Sequence, residues 1–288
     1  MIPSKTHHLD SATITDPGNK GRLNEDSYEI SSFTISEDDD TPVLLAIVAD
    51  GIGGHKAGEI ASKIAVATII SSVAESDGTD PLWILKSALL EANHSITAEA
   101  DVDDSRRGMG STVACALVID CALYIATLGD SRLYLLRDNV IQQLNIDHTW
   151  VQEALEIGVI NPEEARSHPR RHLIRSYLGS ADPIHPDLRL YLDPDENREQ
   201  AKANQGLPLV PGDQVMICTD GLTDLVADEE ILEILVGDDE KEAQLQKLVD
   251  LANLRGGHDN ITIVVIMVPG VDLFEDADLE VIEEEEEE

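Results

Sequence analysis

Five short stretches place carboxylates where apolar segments begin or end. In VADGIGGHKAGEIA, residues 48–61, the apolar run that starts at Val43 ends on Asp50, and Gly51, Gly53 and Gly54 follow almost at once. ATLGDSR sets Asp130 just after a second apolar run, and VMICTDGL sets Asp220 after a third, again followed by glycine. GGHDNITIVVI puts Asp259 at the entry to an apolar run, and LNEDSYEI puts Glu25 and Asp26 at the entry to another. One such turn is an ordinary surface feature. Carboxylates gathered on one rim would repel each other strongly unless a cation compensated them. An all-oxygen donor set of carboxylates, a backbone carbonyl and water suits Mg²⁺ or Mn²⁺. No Cys/His cluster accompanies the aspartates, which argues against zinc.

Strands must bring these turns together. Strand-like runs are Asp26 to Thr34, Val43 to Ala49, Ser111 to Ile119, Ala122 to Leu128, Arg132 to Arg137, Val140 to Leu144, Asp187 to Leu192, Gln214 to Thr219 and Ile261 to Val268. Asp138-Asn139 is a two-residue hairpin signal, and Asp120-Cys121 and Gly129-Asp130-Ser131 leave no room for helical crossovers. The sheets are therefore expected to be mainly antiparallel. Amphipathic helices are expected from Gly58 to Ala74 and from Asp80-Pro81 to about Ala100. Late helices should follow Asp228, as a cap, and Asp238, and WVQEALEIG and PEEARSH should form short ones. Asp193 to Leu209 reads as a long loop, and Pro211-Gly212-Asp213 as a turn. The expected class is α+β, a sandwich of two mainly antiparallel sheets flanked by α-helices on both outer faces.

Composition narrows the function. The 288 residues carry 57 acidic and 20 basic side chains, a net charge of −37, which repels nucleic acid and anionic membranes and accumulates cations. Aromatic residues make up only 3%, so platforms for base stacking are not evident. Part of the acidity is local: residues 271–288, ending in six glutamates, read as a solvated, disordered tail behind a catalytic domain over 1–270. Cys115, Cys121 and Cys218 read as reduced core thiols, with no CxxC pair. No leader and no run of about eighteen apolar residues is apparent, so a soluble, cytoplasmic monomer is expected.

The ordered blocks TDPGNKGRLNED, VADGIGGHKAGEIAS, MGSTVACALV, LGDSRLYLLRD, IDHTWVQEALEIGVINPEEARSHPRRHLIRSYLG, PGDQVMICTDGLTDLV and GGHDNITIVV resemble the metal-dependent protein phosphatases (PPM, the type 2C Ser/Thr phosphatases) in their bacterial form. They run in family order from Thr15 to Val268. The resemblance implies a phosphoserine/phosphothreonine phosphatase in which Asp50 bridges two ions, the Gly51 carbonyl binds one, and Asp220 and Asp259 complete the other site. It implies that Asp26 acts mainly through metal-bound water with Glu25 in the shell behind it, and that Asp130 joins Asp220 at a third ion. Hydrolysis would proceed by direct attack of a metal-bridging hydroxide without a covalent intermediate. Implied partners are phosphorylated proteins, a Ser/Thr kinase or its substrates.

Two positions depart from the family. Its phosphate-binding arginine is replaced by Gly21, leaving Arg22 or Lys20 as substitutes; an arginine can fork onto two phosphoryl oxygens. Ile52 stands where eukaryotic members place a histidine, with His55 nearby. His148 and His168 read as anchors of a flap over 149–168 that borders the cleft, Arg175 reads as pinning a loop, and the resemblance gives His258 no ligand role. The competing reading is a catalytically weak phosphoprotein-binding or regulatory module on the same fold; a metal-binding structural protein would leave the ordered motifs unexplained.

Overall fold

The computed structural model describes residues 1–20, 23–52, 57–166 and 168–270. In chain order the strands are β1 (Ile2–Ser4), β2 (Asp10–Asp16), β3 (Ser27–Thr34), β4 (Pro42–Ala49), β5 (Gly51–Ile52), β6 (Gly110–Ser111), β7 (Val113–Ile119), β8 (Ala122–Leu128), β9 (Arg132–Arg137), β10 (Val140–Gln143), β11 (Leu207–Pro208), β12 (Gln214–Cys218) and β13 (Ile261–Met267). The helices are α1 (Ala57–Ala74), α2 (Pro81–Val102), α3 (Trp150–Glu156), α4 (Pro162–Arg166), α5 (Arg198–Ala203), α6 (Asp220–Thr223), α7 (Asp228–Leu235) and α8 (Lys241–Leu254).

One sheet has the order β1-β3-β4-β7-β8-β11 and the other β10-β9-β12-β13-β2, with every pairing antiparallel. Strand β4 is apolar almost throughout because both its faces are covered. Val43, Leu45 and Ile47 pack under α1 and α2, while Leu44, Ala46 and Val48 face the second sheet. Strand β13 repeats the logic: Ile261, Ile263 and Val265 meet the helical layer containing α7 and α8, and Val264 and Ile266 fill the space between the sheets. The result is the expected four-layer order of helices, sheet, sheet and helices. Each fully buried Leu or Ile contributes about 1.5–3 kcal/mol.

Local signals account for much of this. Asp80 accepts the Trp83 N–H at 3.0 Å and caps α2, with Pro81 in the first turn. Asp138 and Asn139 take φ of 52° and 59°, the left-handed pair that a two-residue hairpin requires.

Several expectations fail. Asp187 to Leu192 is no strand; Asp187 makes one isolated bridge to Thr127. Residues 193–209 are not one loop, since Asn197 and Gln200 form a reciprocal capping box that starts α5, and Leu207–Pro208 adds an edge strand to β8. Asp228 lies inside α7, which Ala227 caps, with the Ala227 N–H donating to Glu230 at 3.2 Å. Strand β1 is hidden in the sequence because it is only three residues long, and β2 because Ala12 and Ile14 are its only apolar residues. Cys115 and Cys218 are core thiols, but Cys121 is only half-buried at a hairpin turn. Helix α1 is long and apolar enough to cross a membrane, contrary to expectation; one face of it packs on β4 and α2, as in a core helix.

Candidate metal centre

Antiparallel pairing puts alternate strand starts and ends at one rim. Ser27 pairs with Ala49, so the residues just before β3 and just after β4, Asp26 and Asp50, fall side by side. In the other sheet Cys218 pairs with Arg132 and with Ile263, so the entry to β9, the exit of β12 and the entry to β13 share one end. Those three ends carry Asp130, Asp220 and Asp259. Asp130 occupies the crossover between the two sheets, in the short link from β8 to β9.

Threonine hydroxyls hold this rim together. Asp26 Oδ2 accepts from Thr219 Oγ1 at 3.0 Å and from Thr262 Oγ1 at 2.7 Å, which ties the start of β3 to the opposite sheet. The Asp50 N–H donates to Thr112 Oγ1 at 3.1 Å, and that hydroxyl shares a 2.7 Å hydrogen bond with Ser131. The Asn260 side-chain carbonyl accepts the Glu25 N–H at 2.7 Å, placing Glu25 against the Asp259 loop. Gly51 is packed so closely that a Cβ there would lie 2.4 Å from the backbone of Gly58 and 2.6 Å from the Glu25 carbonyl. No other residue fits between α1 and Glu25.

The electrostatics are unfavourable for bare carboxylates. Burial pushes the Asp50 carboxyl well above its ordinary range, and repulsion from Asp26, Asp220, Asp130 and Asp259 adds to it. Asp220 is raised in the same way, by burial and then by Asp130, Asp224, Asp259 and Asp26. Asp26 is pushed up to about 7 by burial against the pull of its two threonine hydrogen bonds. Burial, with Asp147 adding repulsion, takes Asp130 to about 7 as well. Asp26 Oδ1, Asp130 Oδ1 and Asp220 Oδ1 are buried with no hydrogen-bond partner among the described residues. Buried polar atoms normally have partners, so three orphaned carboxylate oxygens in one cluster fit a bound cation. All the donors are oxygen, which suits a hard divalent ion.

Two further residues join the rim. Asp224 follows Asp220 by four positions, on the same face of one helical turn. His172 Nδ1 lies 3.1 Å from Asp224 Oδ2, and ligand atoms of His172, Asp220 and Asp224 all lie within 4.8 Å of one another. The spacing in TDGLTD could have flagged Asp224; nothing in the sequence pointed to His172. A cleft of about 390 Å³ is lined by Asp130, Asp220, Asp224 and His172 together with Val151, Leu155 and Ala165. Trp150 stacks on His168 with ring centroids 4.6 Å apart. His148 Nδ1 accepts the Gly129 N–H at 3.0 Å, and Arg175 donates its N–H to the His148 carbonyl at 2.7 Å, so all three anchor loops beside the cleft.

Of the other candidates, Lys20 is exposed in a turn pinned to the Asp259 loop, where the Asn19 N–H donates to the Gly257 carbonyl at 3.0 Å. Arg22, Gly21, His55 and the tail 271–288 lie outside the described residues. His258 is exposed beside Asp259.

The model of the protein phosphatase 2C family matches residues 18–239. A serine/threonine phosphatase, stp, of Listeria monocytogenes is 32% identical over 257 residues, which cover 88% of this chain and 93% of that protein. The crystal structure of the Mycobacterium tuberculosis serine/threonine phosphatase PstP/Ppp aligns with a TM-score of 0.75 at 34% identity, over 91% of this chain and 99% of that one. The catalytic domain of PstP in complex with two manganese ions aligns with a TM-score of 0.73 at 33% identity, over 91% and 98% of the two chains.

Proposed function

This chain belongs to the protein phosphatase 2C family, and we propose that it is a Mg²⁺- or Mn²⁺-dependent phosphatase of phosphoserine and phosphothreonine in proteins. The observation that carries the reading is the set of buried, mutually repelling carboxylates with three orphaned oxygens. Asp50 would be shared between two ions, the Gly51 carbonyl would serve one, and Asp220 and Asp259 the other. Asp26 would act through water with Glu25 behind it, and Asp130 with Asp220 would take a third ion. When bound, such ions lower the pKa of a shared water and draw charge from the phosphoryl oxygens.

The chain's own residues shape the rest. Thr219 and Thr262 occupy Asp26 Oδ2, leaving Oδ1 without a hydrogen-bond partner among the described residues. Asn260 fixes Glu25, and Thr112 fixes Asp50. The acidic surface needs a local cation to receive a phosphoryl dianion, a task assigned to Arg22 or Lys20. Burial pushes the Cys115 and Cys218 thiols far up, so neither supplies a thiolate, in keeping with direct hydrolysis and no phospho-enzyme.

The test is hydrolysis of a phosphothreonine peptide by the wild type and by Asp220→Asn, with Mn²⁺, with Mg²⁺ and with EDTA. Turnover should require the metal and be lost in the variant. Folded wild-type protein that binds the ions and turns over nothing would move the assignment to a phosphoprotein-binding or regulatory module.

A further inference from the structure

Positive charge is scarce in this chain, and it is unevenly placed. Lys86, Arg189, Arg198 and Lys202, four of its twenty Lys and Arg residues, line one cavity of about 460 Å³ together with His148 and His185. The acid in that lining, Asp187, is already engaged. It accepts from Arg189 through both oxygens, and its Oδ2 lies 3.2 Å from His148 Nε2. Lys86, on α2, and Lys202, on α5, form no ion pair among the described residues. Arg198 pairs with Glu156 at 3.1 Å, but its side chain is 72% exposed, and exposed pairs of this kind are weak enough to exchange. The cavity thus presents cationic charge that no described side chain neutralises, in a protein whose net charge of −37 should otherwise repel anions.

Shared lining residues link this cavity, step by step, to the cleft at the carboxylate cluster. Arg189 and Arg198 also line a larger cavity of about 760 Å³. That cavity shares Arg132, Asp147 and Gln152 with the cleft that bears Asp130 and Asp220. Its lining includes the side-chain amides of Gln142, Gln152 and Asn197, and its acids Asp147, Glu156 and Glu196 are engaged by Arg132, Arg198 and Asn204. Such groups both donate and accept, which matches the alternating needs of an extended polypeptide backbone.

We propose that the three cavities form one track for the substrate polypeptide: the phosphoryl group sits at the carboxylate cluster, and a second anionic side chain of the same polypeptide, a carboxylate or a second phosphoryl group, sits among Lys86, Arg198 and Lys202. This rests on the phosphatase reading above. It makes the enzyme selective for phosphoproteins with acidic or multiply phosphorylated flanks. Isolated surface lysines would need no explanation. Their clustering, and the shared walls that lead from them to the site, set this group apart.

The test uses the full chain and its Lys86→Glu/Lys202→Glu variant. Both side chains are exposed, so the fold should tolerate the change. The substrates are phosphothreonine peptides bearing alanines, glutamates or a second phosphothreonine at successive spacings on either side. The wild type should favour one or more anionic-flank peptides over the alanine peptide, and the variant should lower that preference about tenfold, through KM and not kcat. The glutamate and phosphothreonine arms tell which anion is preferred. A wild type indifferent to the flank, or a variant that lowers kcat/KM equally for every peptide, overturns the proposal. Should no peptide turn over, fluorescence anisotropy of a labelled glutamate-rich peptide at low salt decides separately: binding by the wild type and not by the variant keeps the cationic subsite, and equal or no binding removes it.

Discussion

The Asp26→Asn substitution separates the charge of the cluster from its shape. The amide side chain can offer its carbonyl oxygen to Thr219 and Thr262, as Asp26 Oδ2 does at 3.0 and 2.7 Å, while its NH₂ replaces the orphaned oxygen. The folded protein holds the Asp26 proton more tightly than the unfolded chain does: about 7 against 3.8. The stabilising contribution of this group is therefore complete below 3.8 and is lost as the pH rises through about 7. Three units at about 1.36 kcal/mol each give about 4 kcal/mol lost from this one carboxyl. Asp50, Asp130 and Asp220 are raised too and change stability in the same direction. Asp187 does not confuse the window: despite its burial, hydrogen bonds from His148 and Arg189 hold it well below the usual carboxylate range. In EDTA, urea unfolding of the wild type should give less stability at about pH 7.5 than at about pH 5. Asp26→Asn should be more stable than wild type at the higher pH, by up to about 4 kcal/mol, and the gap should close towards about pH 4. Saturating Mn²⁺ should stabilise the wild type and shrink the variant's advantage. A wild type equally stable at both pH values, or a variant no more stable than wild type at the higher pH, would refute the reasoning.

Three smaller predictions follow from single contacts. Gly18 has φ of +69°, and a Cβ there would lie 2.2 Å from the Asp259 carbonyl, so Gly18→Ala should destabilise by more than the ~1–2 kcal/mol of the backbone alone and weaken Mn²⁺ binding in a calorimetric titration. Thr219→Val removes a donor from Asp26 and leaves the buried Thr262 N–H, now bonded to Thr219 Oγ1 at 3.0 Å, without an acceptor; chemical denaturation should register a loss of about 1–3 kcal/mol. Ellman's reagent should modify Cys121 in the native protein and reach Cys115 and Cys218 only on unfolding, because the latter two are buried with thiols pushed far up.

The sequence by itself determined the alternation of apolar strands with tight turns, and hence antiparallel pairing. It also determined that carboxylates stand at strand ends, since Asp50, Asp130 and Asp220 each closely follow a hydrophobic run. These are local facts, set by neighbours a few residues apart. Strand β2 escaped because it is an edge strand in which only Ala12 and Ile14 are apolar, too few to register a period-two pattern. Helix α5 escaped because its stability rests on the Asn197–Gln200 box and on Ala201, not on an apolar stripe. Tertiary structure alone decided the clamps on the site. Thr219 and Thr262 meet Asp26 across 193 and 236 positions of chain, and no local pattern encodes such a contact. The same holds for His172 against Asp224, and for the gathering of Lys86 with Arg198 and Lys202. A side chain's partner over such a span depends on how two sheets stack and where each loop crosses the rim. That is settled by packing of the whole core, whereas the strand ends are settled by the hydrophobic run beside them.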